Sequence, residues 1–187
     1  MDRKRLTLPL TAEQAASLRA GELLLLTGVL YTARDSAHQK MMASLDAGDK
    51  LPVDWQGQTV YYAGPCPGRP GRPTGSAGPT TSGRMDPYTP RMLEQGLRVM
   101  IGKGSRSEAV IAAIRKHRAV YLGATGGAGA LLAQCIRQAE IVAYPDLGTE
   151  AVRRLEVVDF PAVVLIDSQG CNLYETGRQQ YILSSGH

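Results

Sequence analysis

The sequence predicts one mixed α/β domain, and three observations carry that reading. Short apolar, β-friendly runs alternate with segments of helical period. Glycine and proline mark most of the junctions between them. A length of 187 residues supplies enough chain for one domain with a real core, and no linker separates two cores, so residues 1–187 are read as a single domain. Hydrophobic residues at 43% and charged residues at 20% exclude a wholly disordered chain.

Thr11-x-x-Gln14 matches a capping box and predicts a short helix that carries Ala15 and Leu18 and ends near Gly21. Glu22 to Tyr31 reads as a buried strand. Asp35 or Ser36 is placed to cap a second helix, in which His38, Met41, Met42 and Leu45 recur at helical spacing until Gly48. Thr59 to Ala63 is a strand. Residues 64–83 hold six glycines and five prolines, a density that excludes regular structure. Pro87 and Pro90 suit the first turns of a helix running to Gly96.

Leu97 to Gly102 is again strand-like, and Ser105 or Ser107 caps a helix to His117 that carries Val110, Ile111 and Ile114. A strand at Ala119 to Leu122, a glycine-rich turn to Gly129 and a helix over Ala130 to Ala139 follow. The remainder is expected to be mostly β, with Val157–Ile166 and Cys171–Tyr174 flanking a hairpin-like turn at Asp167-Ser168-Gln169-Gly170.

The net charge of +4 and pI near 9.1 come from basic residues interleaved with acids. No nucleic-acid stripe emerges, and a nucleic-acid partner is not expected. No apolar run reaches the ~18–20 residues that cross a bilayer. The basic start, Met1 to Arg5, leads into Thr11-Ala12-Glu13-Gln14 and not into a signal-peptide core. The expected compartment is the cytoplasm, without a membrane partner. Cys66, Cys135 and Cys171 are dispersed, with no C-x-x-C pair, and read as reduced thiols that hold no metal.

Two loops invite a phosphate or anion reading. Gly123 to Gly129 lies between a strand and a helix but does not follow G-x-G-x-x-G, and Gly102-Lys103-Gly104-Ser105 lacks the upstream glycine of a Walker loop. The more informative pattern is a set of cations beside strand-to-helix loops: Arg34, Arg84 and Lys103. Such loops gather ligands in α/β proteins, and arginine forks with a lysine point charge suit a dicarboxylate. Thr80-Thr81-Ser82 adds clustered hydroxyls on a rigid backbone. Of the histidines, His117 reads as a solvated helix end and His187 as the terminus. His38, one helical turn after Arg34, is the functional candidate.

These segments carry a resemblance. Thr32-Ala33-Arg34-Asp35-Ser36-Ala37-His38 is similar to the T-G-R-D-x-A-H segment of class I fumarases. Gly78-Pro79-Thr80-Thr81-Ser82-Gly83-Arg84-Met85-Asp86 resembles their G-P-T-T-x-x-R-M-D loop. Lys103-Gly104-Ser105-Arg106-Ser107, Tyr121 to Gly127, Tyr144 to Gly148 and Val158 to Ala162 continue the likeness in order. The Cys66-to-Pro73 stretch stands outside it.

The resemblance is to the β part of an iron–sulfur hydro-lyase, a swivelling β/β/α domain built as a compact mixed sheet or partly open barrel with flanking helices. It implies a larger α partner whose three cysteines hold a [4Fe–4S] cluster with one open iron, so this chain binds no cofactor and no metal itself. It implies that Arg34, Arg84 and Lys103 grip the carboxylates of fumarate or malate, that Thr80 takes the place of the catalytic base with Thr81 beside it, and that His38 lies close to the site. An α2β2 or homodimeric assembly, with an exposed apolar face for the partner, is the corresponding expectation. L-tartrate dehydratase β subunits share the plan, and a non-catalytic dicarboxylate-binding or assembly domain would retain the same pocket.

Overall fold

The computed structural model describes residues 3–182. β1 (Lys4–Leu8), α1 (Ala12–Ser17), β2 (Leu23–Thr32), α2 (Asp35–Asp46) and β3 (Thr59–Tyr61) come first. After the irregular segment a 3-10 turn at Ser82–Met85 leads to α3 (Thr89–Glu94), β4 (Val99–Gly102), α4 (Glu108–His117) and β5 (Val120–Gly123). Last come α5 (Gly129–Ala133), β6 (Ile136–Ala143), a 3-10 segment at Pro145–Glu150, β7 (Val152–Ile166) and α6 (Leu173–Ile182).

The strands form one sheet in the order β1-β2-β3-β4-β5-β7-β6, and a further pairing of β2 with β7 closes five of them, β2, β3, β4, β5 and β7, into a barrel. The four strands β2 to β5 run parallel, and β7 is antiparallel to both of its barrel neighbours. At 15 residues β7 is long enough to serve two edges. Its first half lies between β2 and β6, and its second half pairs with β2 and then β5. The mixed sheet anticipated from sequence is therefore present, and the barrel closes.

Side chains on successive strand residues point to opposite faces, and both faces are buried here. Tyr61, Val99, Ile101, Val120, Leu122, Leu155 and Phe160 enter one core; Val60, Met100, Tyr121 and Val152 enter another, shared with Met41 of α2, Met92 of α3 and Ile111 and Ile114 of α4. Burial on both sides explains why β4 and β5 read as uninterrupted apolar runs and not as alternating ones.

The capping box at Thr11 forms as expected, Gln14 N–H donating to Thr11 Oγ1 and Thr11 N–H to Gln14 Oε1. Four elements depart from the sequence reading. β1 was not anticipated: it is a mostly exposed edge strand paired in parallel with β2 from Lys4–Leu24 to Leu8–Gly28, and its charges pair outward with Glu22 and Asp159. The helix expected over Ala130–Ala139 stops at Ala133, because residues from Ile136 onward find a ladder on β7. Tertiary pairing overrides the helix preference of Ala, Leu and Gln there.

Cys171–Tyr174 is not a returning strand. A single bridge joins Ile166 to Asn172, and Asn172 then starts α6, taking Tyr174 N–H on its Oδ1 and donating from Nδ2 to Glu175. At α2 the N-cap is Arg34, with no side-chain cap bond, and Asp35 is already helical. Among the described residues the exposed large apolar side chains are Leu131, Ile141, Val158 and Tyr174, each on a different element, not gathered on one element as a docking face. No helix among these residues is long and apolar enough to cross a membrane.

Phe160 is fully buried and meets Tyr61 edge-on at 5.3 Å between ring centres. Phe160→Ala should lower unfolding stability by about 3–5 kcal/mol in urea titrations, the range for removing a core aromatic ring.

Candidate functional site

Because β2 to β5 are parallel, the segments that leave their C-terminal ends collect on one side of the barrel. Arg34 follows β2, Lys103 follows β4, and the glycine-rich turn Ala124–Ala128 follows β5. The Pro/Gly-rich segment after β3 is tied onto the same end. Ala63 bridges Pro79, Thr80 N–H donates to the Tyr62 carbonyl (2.7 Å), Thr81 bridges Lys103, and Ser82 N–H donates to the Lys103 carbonyl (2.8 Å). Irregular backbone is thus held by strand-like bonds.

Beneath it lies a buried polar network. Ser82 Oγ accepts from Lys103 N–H at 3.0 Å and sits 2.9 Å from Tyr121 Oη, which donates to the Gly104 carbonyl at 2.8 Å. Burial holds the Tyr121 hydroxyl well above its ordinary pKa, so it stays a donor. A Cβ on Gly102 would collide with Ser82 Oγ, which is why the end of β4 is side-chain-free.

Arg106, whose side chain is wholly enclosed, donates from Nε to Asp86 (2.6 Å) and from Nη2 to Thr89 Oγ1 (2.7 Å), and lies over the rings of Tyr121 and Tyr62 at 4.9 and 5.4 Å. The other Asp86 oxygen accepts from Ser107 N–H. Ser107 is the N-cap of α4, as its position suggested, but its own side chain makes no cap bond.

Above this network the predicted cations take different stations. Arg84 is half exposed; its Nε is 2.9 Å from Asp35 Oδ1, and its Nη1 approaches Thr80 Oγ1 at 3.5 Å. An arginine can only donate, so the Thr80 hydroxyl receives from Arg84 and keeps its own hydrogen for another acceptor. Arg34 is more enclosed, with Nε 3.5 Å from Asp35 Oδ2 and Nη2 3.5 Å from Glu150 Oε1. Glu150 Oε2 also accepts from Ser36 N–H at 2.9 Å.

Lys103 is half-buried, and among the described residues no carboxylate lies within ion-pair distance of it. A Cβ placed on Gly126 would be 3.9 Å from its Nζ, so the ammonium lies against the turn after β5. Thr81 is exposed and Thr80 half-buried.

His38 is fully buried. Its Nδ1–H donates to the Arg34 carbonyl at 2.8 Å, its Nε2 has no partner, and its ring stacks on Tyr88 and meets Tyr62 edge-on. Burial first, with the Arg106 charge adding to it, lowers its pKa to about 4, the Arg34 carbonyl opposing. The contacts place it under the site as a neutral prop of Arg34. His117 ends α4, and His187 lies outside the described residues.

Arg34 and Arg84 are thus linked through Asp35, Thr80 through Arg84, and Thr81 joins Lys103. Sequence reasoning missed Asp35 as anything but a cap, and missed Glu150, Asp86, Arg106, Ser82 and Tyr121 as structural partners. Asp35, Ser82, Asp86, Arg106 and Tyr121 did lie inside the motifs that carry the resemblance; Glu150 carried no signal. Cys66 and Cys171 are exposed and Cys135 half-buried, and no group of three or more His, Cys, Asp or Glu among the described residues is arranged to hold a metal ion.

Comparison with known proteins agrees with the motifs. Residues 2–177 match the family described as Fumarase C-terminus. The chain belongs to this family. It is 46% identical over 154 residues to the anaerobic class I fumarate hydratase of Escherichia coli K12, covering 81% of this chain and 28% of that one. Fumarate hydratase 1, mitochondrial, of Leishmania major shows the same 46% identity and the same coverage. A Methanocaldococcus jannaschii protein provisionally named as an L(+)-tartrate dehydratase subunit beta is 36% identical over 172 residues, 89% of this chain and 88% of that one. The chain therefore spans little more than a quarter of the fumarate hydratases it matches.

Two outcomes test the network. Asp86→Asn leaves the enclosed Arg106 charge unmatched and should cost about 3–5 kcal/mol in chemical denaturation, as breaking a buried pair from one side does. For His38 the folded pKa lies below the unfolded one, so the unfolded chain binds more protons between them and stability falls as pH drops from about 6.5 towards 4. Between pH 7 and pH 5 the wild type should lose more stability than His38→Phe, read from urea midpoints at each pH.

Proposed function

We propose that this chain supplies the substrate-gripping half of an iron–sulfur hydro-lyase that reversibly hydrates fumarate to L-malate. The observation that carries the proposal is the half-exposed Arg84 guanidinium, anchored by Nε, set beside the Thr80 hydroxyl and sharing its loop with the Thr81–Lys103 bridge. Arg84 offers a planar fork for one carboxylate and Lys103 a point charge for another. Membership of the fumarase C-terminal family and the names of its relatives support the reaction class.

Malate dehydration removes a weakly acidic proton next to a carboxylate, so negative charge gathers on that carboxylate in the transition state. Cations fixed in advance stabilise that charge without reorganising. Thr80, with its oxygen already receiving from Arg84, is set to orient the reacting carbon's proton or hydroxyl; a threonine hydroxyl is too weak an acid to serve as base without strong activation. His38 holds the Arg34 carbonyl from below. In this proposal the [4Fe–4S] cluster sits on a partner region, in an α2β2 or homodimeric assembly in the cytoplasm.

A second reading, L(+)-tartrate dehydration, has support from the Methanocaldococcus jannaschii relative. Tartrate carries one hydroxyl more than malate, and the same two-carboxylate grip serves both.

The test is to co-express the chain with a cognate iron–sulfur partner and assay malate, fumarate and L(+)-tartrate under anaerobic conditions. Oxygen-sensitive activity that neither part shows alone is expected, and full activity from this chain without iron would refute the assignment. Arg84→Ala should reduce kcat/KM by about 10²-fold or more, as loss of a transition-state contact does.

A further inference from the structure

Three polar atoms at the start of α2 are buried without a hydrogen-bond partner: Arg34 Nε, Asp35 Oδ2 and His38 Nε2. Two of them face each other across 3.5 Å, an ion-pair contact without a hydrogen bond. The other Asp35 oxygen makes a close contact instead, 2.9 Å to Arg84 Nε. Asp35 therefore serves Arg84 first and leans on Arg34 second.

We infer that Asp35 is a positioning residue for dicarboxylate binding, one that grips Arg84 by its Nε and turns the guanidinium's Nη edge to the ligand. The inference rests on the reading under Proposed function. A guanidinium has five N–H donors in a rigid plane. The Asp35 carboxylate pairs with Arg84 at its Nε edge, 2.9 Å away, and Nη1 lies 3.5 Å from Thr80 Oγ1, so the other Nη donors remain for a ligand and the plane that carries them is held at one edge. A free arginine on a surface turn would sample many rotamers, so each carboxylate captured would have to order it anew.

Asp35 is itself held. It stands in the first turn of α2, where the helix N-terminus favours a carboxylate, and Arg34 backs it. Arg34 in turn is braced by Glu150, whose second oxygen bonds Ser36 N–H at the same helix end. The third Arg34 nitrogen lies against backbone: a Cβ on Gly64 would come within 3.1 Å of its Nη1 and Cδ. Two of the three nitrogens of Arg34 are thus committed to carboxylates and the third is packed, whereas Arg84 is half exposed.

A double-mutant cycle on the assembled enzyme tests this. Asp35→Asn, Arg84→Ala and the double variant are compared with wild type by kcat/KM for malate, by calorimetric affinity for succinate and by thermal melting, with Asp35→Ser as a second replacement. If Asp35 acts through Arg84, each single variant loses at least tenfold in kcat/KM and weakens succinate binding. Adding Asp35→Asn to Arg84→Ala then changes neither by more than about threefold, since coupled residues are non-additive. Losses that multiply would show that Asp35 acts on stability or elsewhere and would overturn the inference. So would a wild-type rate for Asp35→Asn in an active enzyme, while leaving the hydro-lyase reading in place. A wild-type assembly that turns over none of the three substrates and binds no succinate would remove both.

Discussion

The functional end of the molecule hangs on an ion pair closed off from water. Arg106 follows β4, and Asp86 ends the 3-10 turn that carries Arg84, so their bond fixes the irregular segment against the sheet. Burying two charges costs several kcal/mol per ion unless every donor and lone pair is matched. Here they are matched closely: Nε to Asp86, Nη2 to Thr89, the ring faces of Tyr62 and Tyr121 across the guanidinium plane, and Ser107 N–H on the second carboxylate oxygen. Such a pair contributes little net stability compared with apolar packing. What it contributes is registration, because no neighbouring arrangement of turn and sheet satisfies both charges.

The registration propagates upward through Ser82, which is bonded to Lys103 at its backbone N–H and its Oγ, and through the Thr81–Lys103 bridge. Thr80 and Arg84 sit on the same few residues, so the staple below fixes their positions, while the earlier part of the loop is tied by its own bonds, Cys66 N–H to the Ser76 carbonyl and Gly75 N–H to the Cys66 carbonyl. This accounts for a loop with so many glycines and prolines and so few bulky side chains. Its contribution to the core is small, as with the fully buried Ala77, and bulk would obstruct the approach of Ser82 to Gly102.

The sequence was informative where local pattern and tertiary structure agree. The capping box at Thr11, the helical recurrence from His38 to Leu45 and the apolar runs of β4 and β5 each state what they become. β1 was hidden because an edge strand with charged, exposed residues lacks the apolar run that betrays an inner one. β6 was hidden because its residues favour a helix and only the pairing with β7 says otherwise. α6 did carry a signal, Asn172 three residues before Glu175, but the preceding turn suggested a hairpin. For the candidate site, spacing and resemblance found Arg34, Thr80, Thr81, Arg84 and Lys103. They could not separate an arginine set between two carboxylates from a half-exposed one or an enclosed one, since Arg34, Arg84 and Arg106 look alike until burial and partners are known.

That separation bears on how the site handles charge. Arg34, Arg84 and Lys103 are opposed by Asp35 and Glu150, which leaves one net positive charge before any ligand arrives. Arg34 and Arg84, both in ion-pair contact with Asp35, would repel each other without it. Two fixed carboxylates remove that repulsion in advance and hold the donors in place, which is the electrostatic form of preorganisation. The compensation also limits what this chain can do alone. Under the proposed function, a dicarboxylate would bring two negative charges to a cluster whose net charge is one, which suits a grip that orients its ligand more than one that captures it strongly.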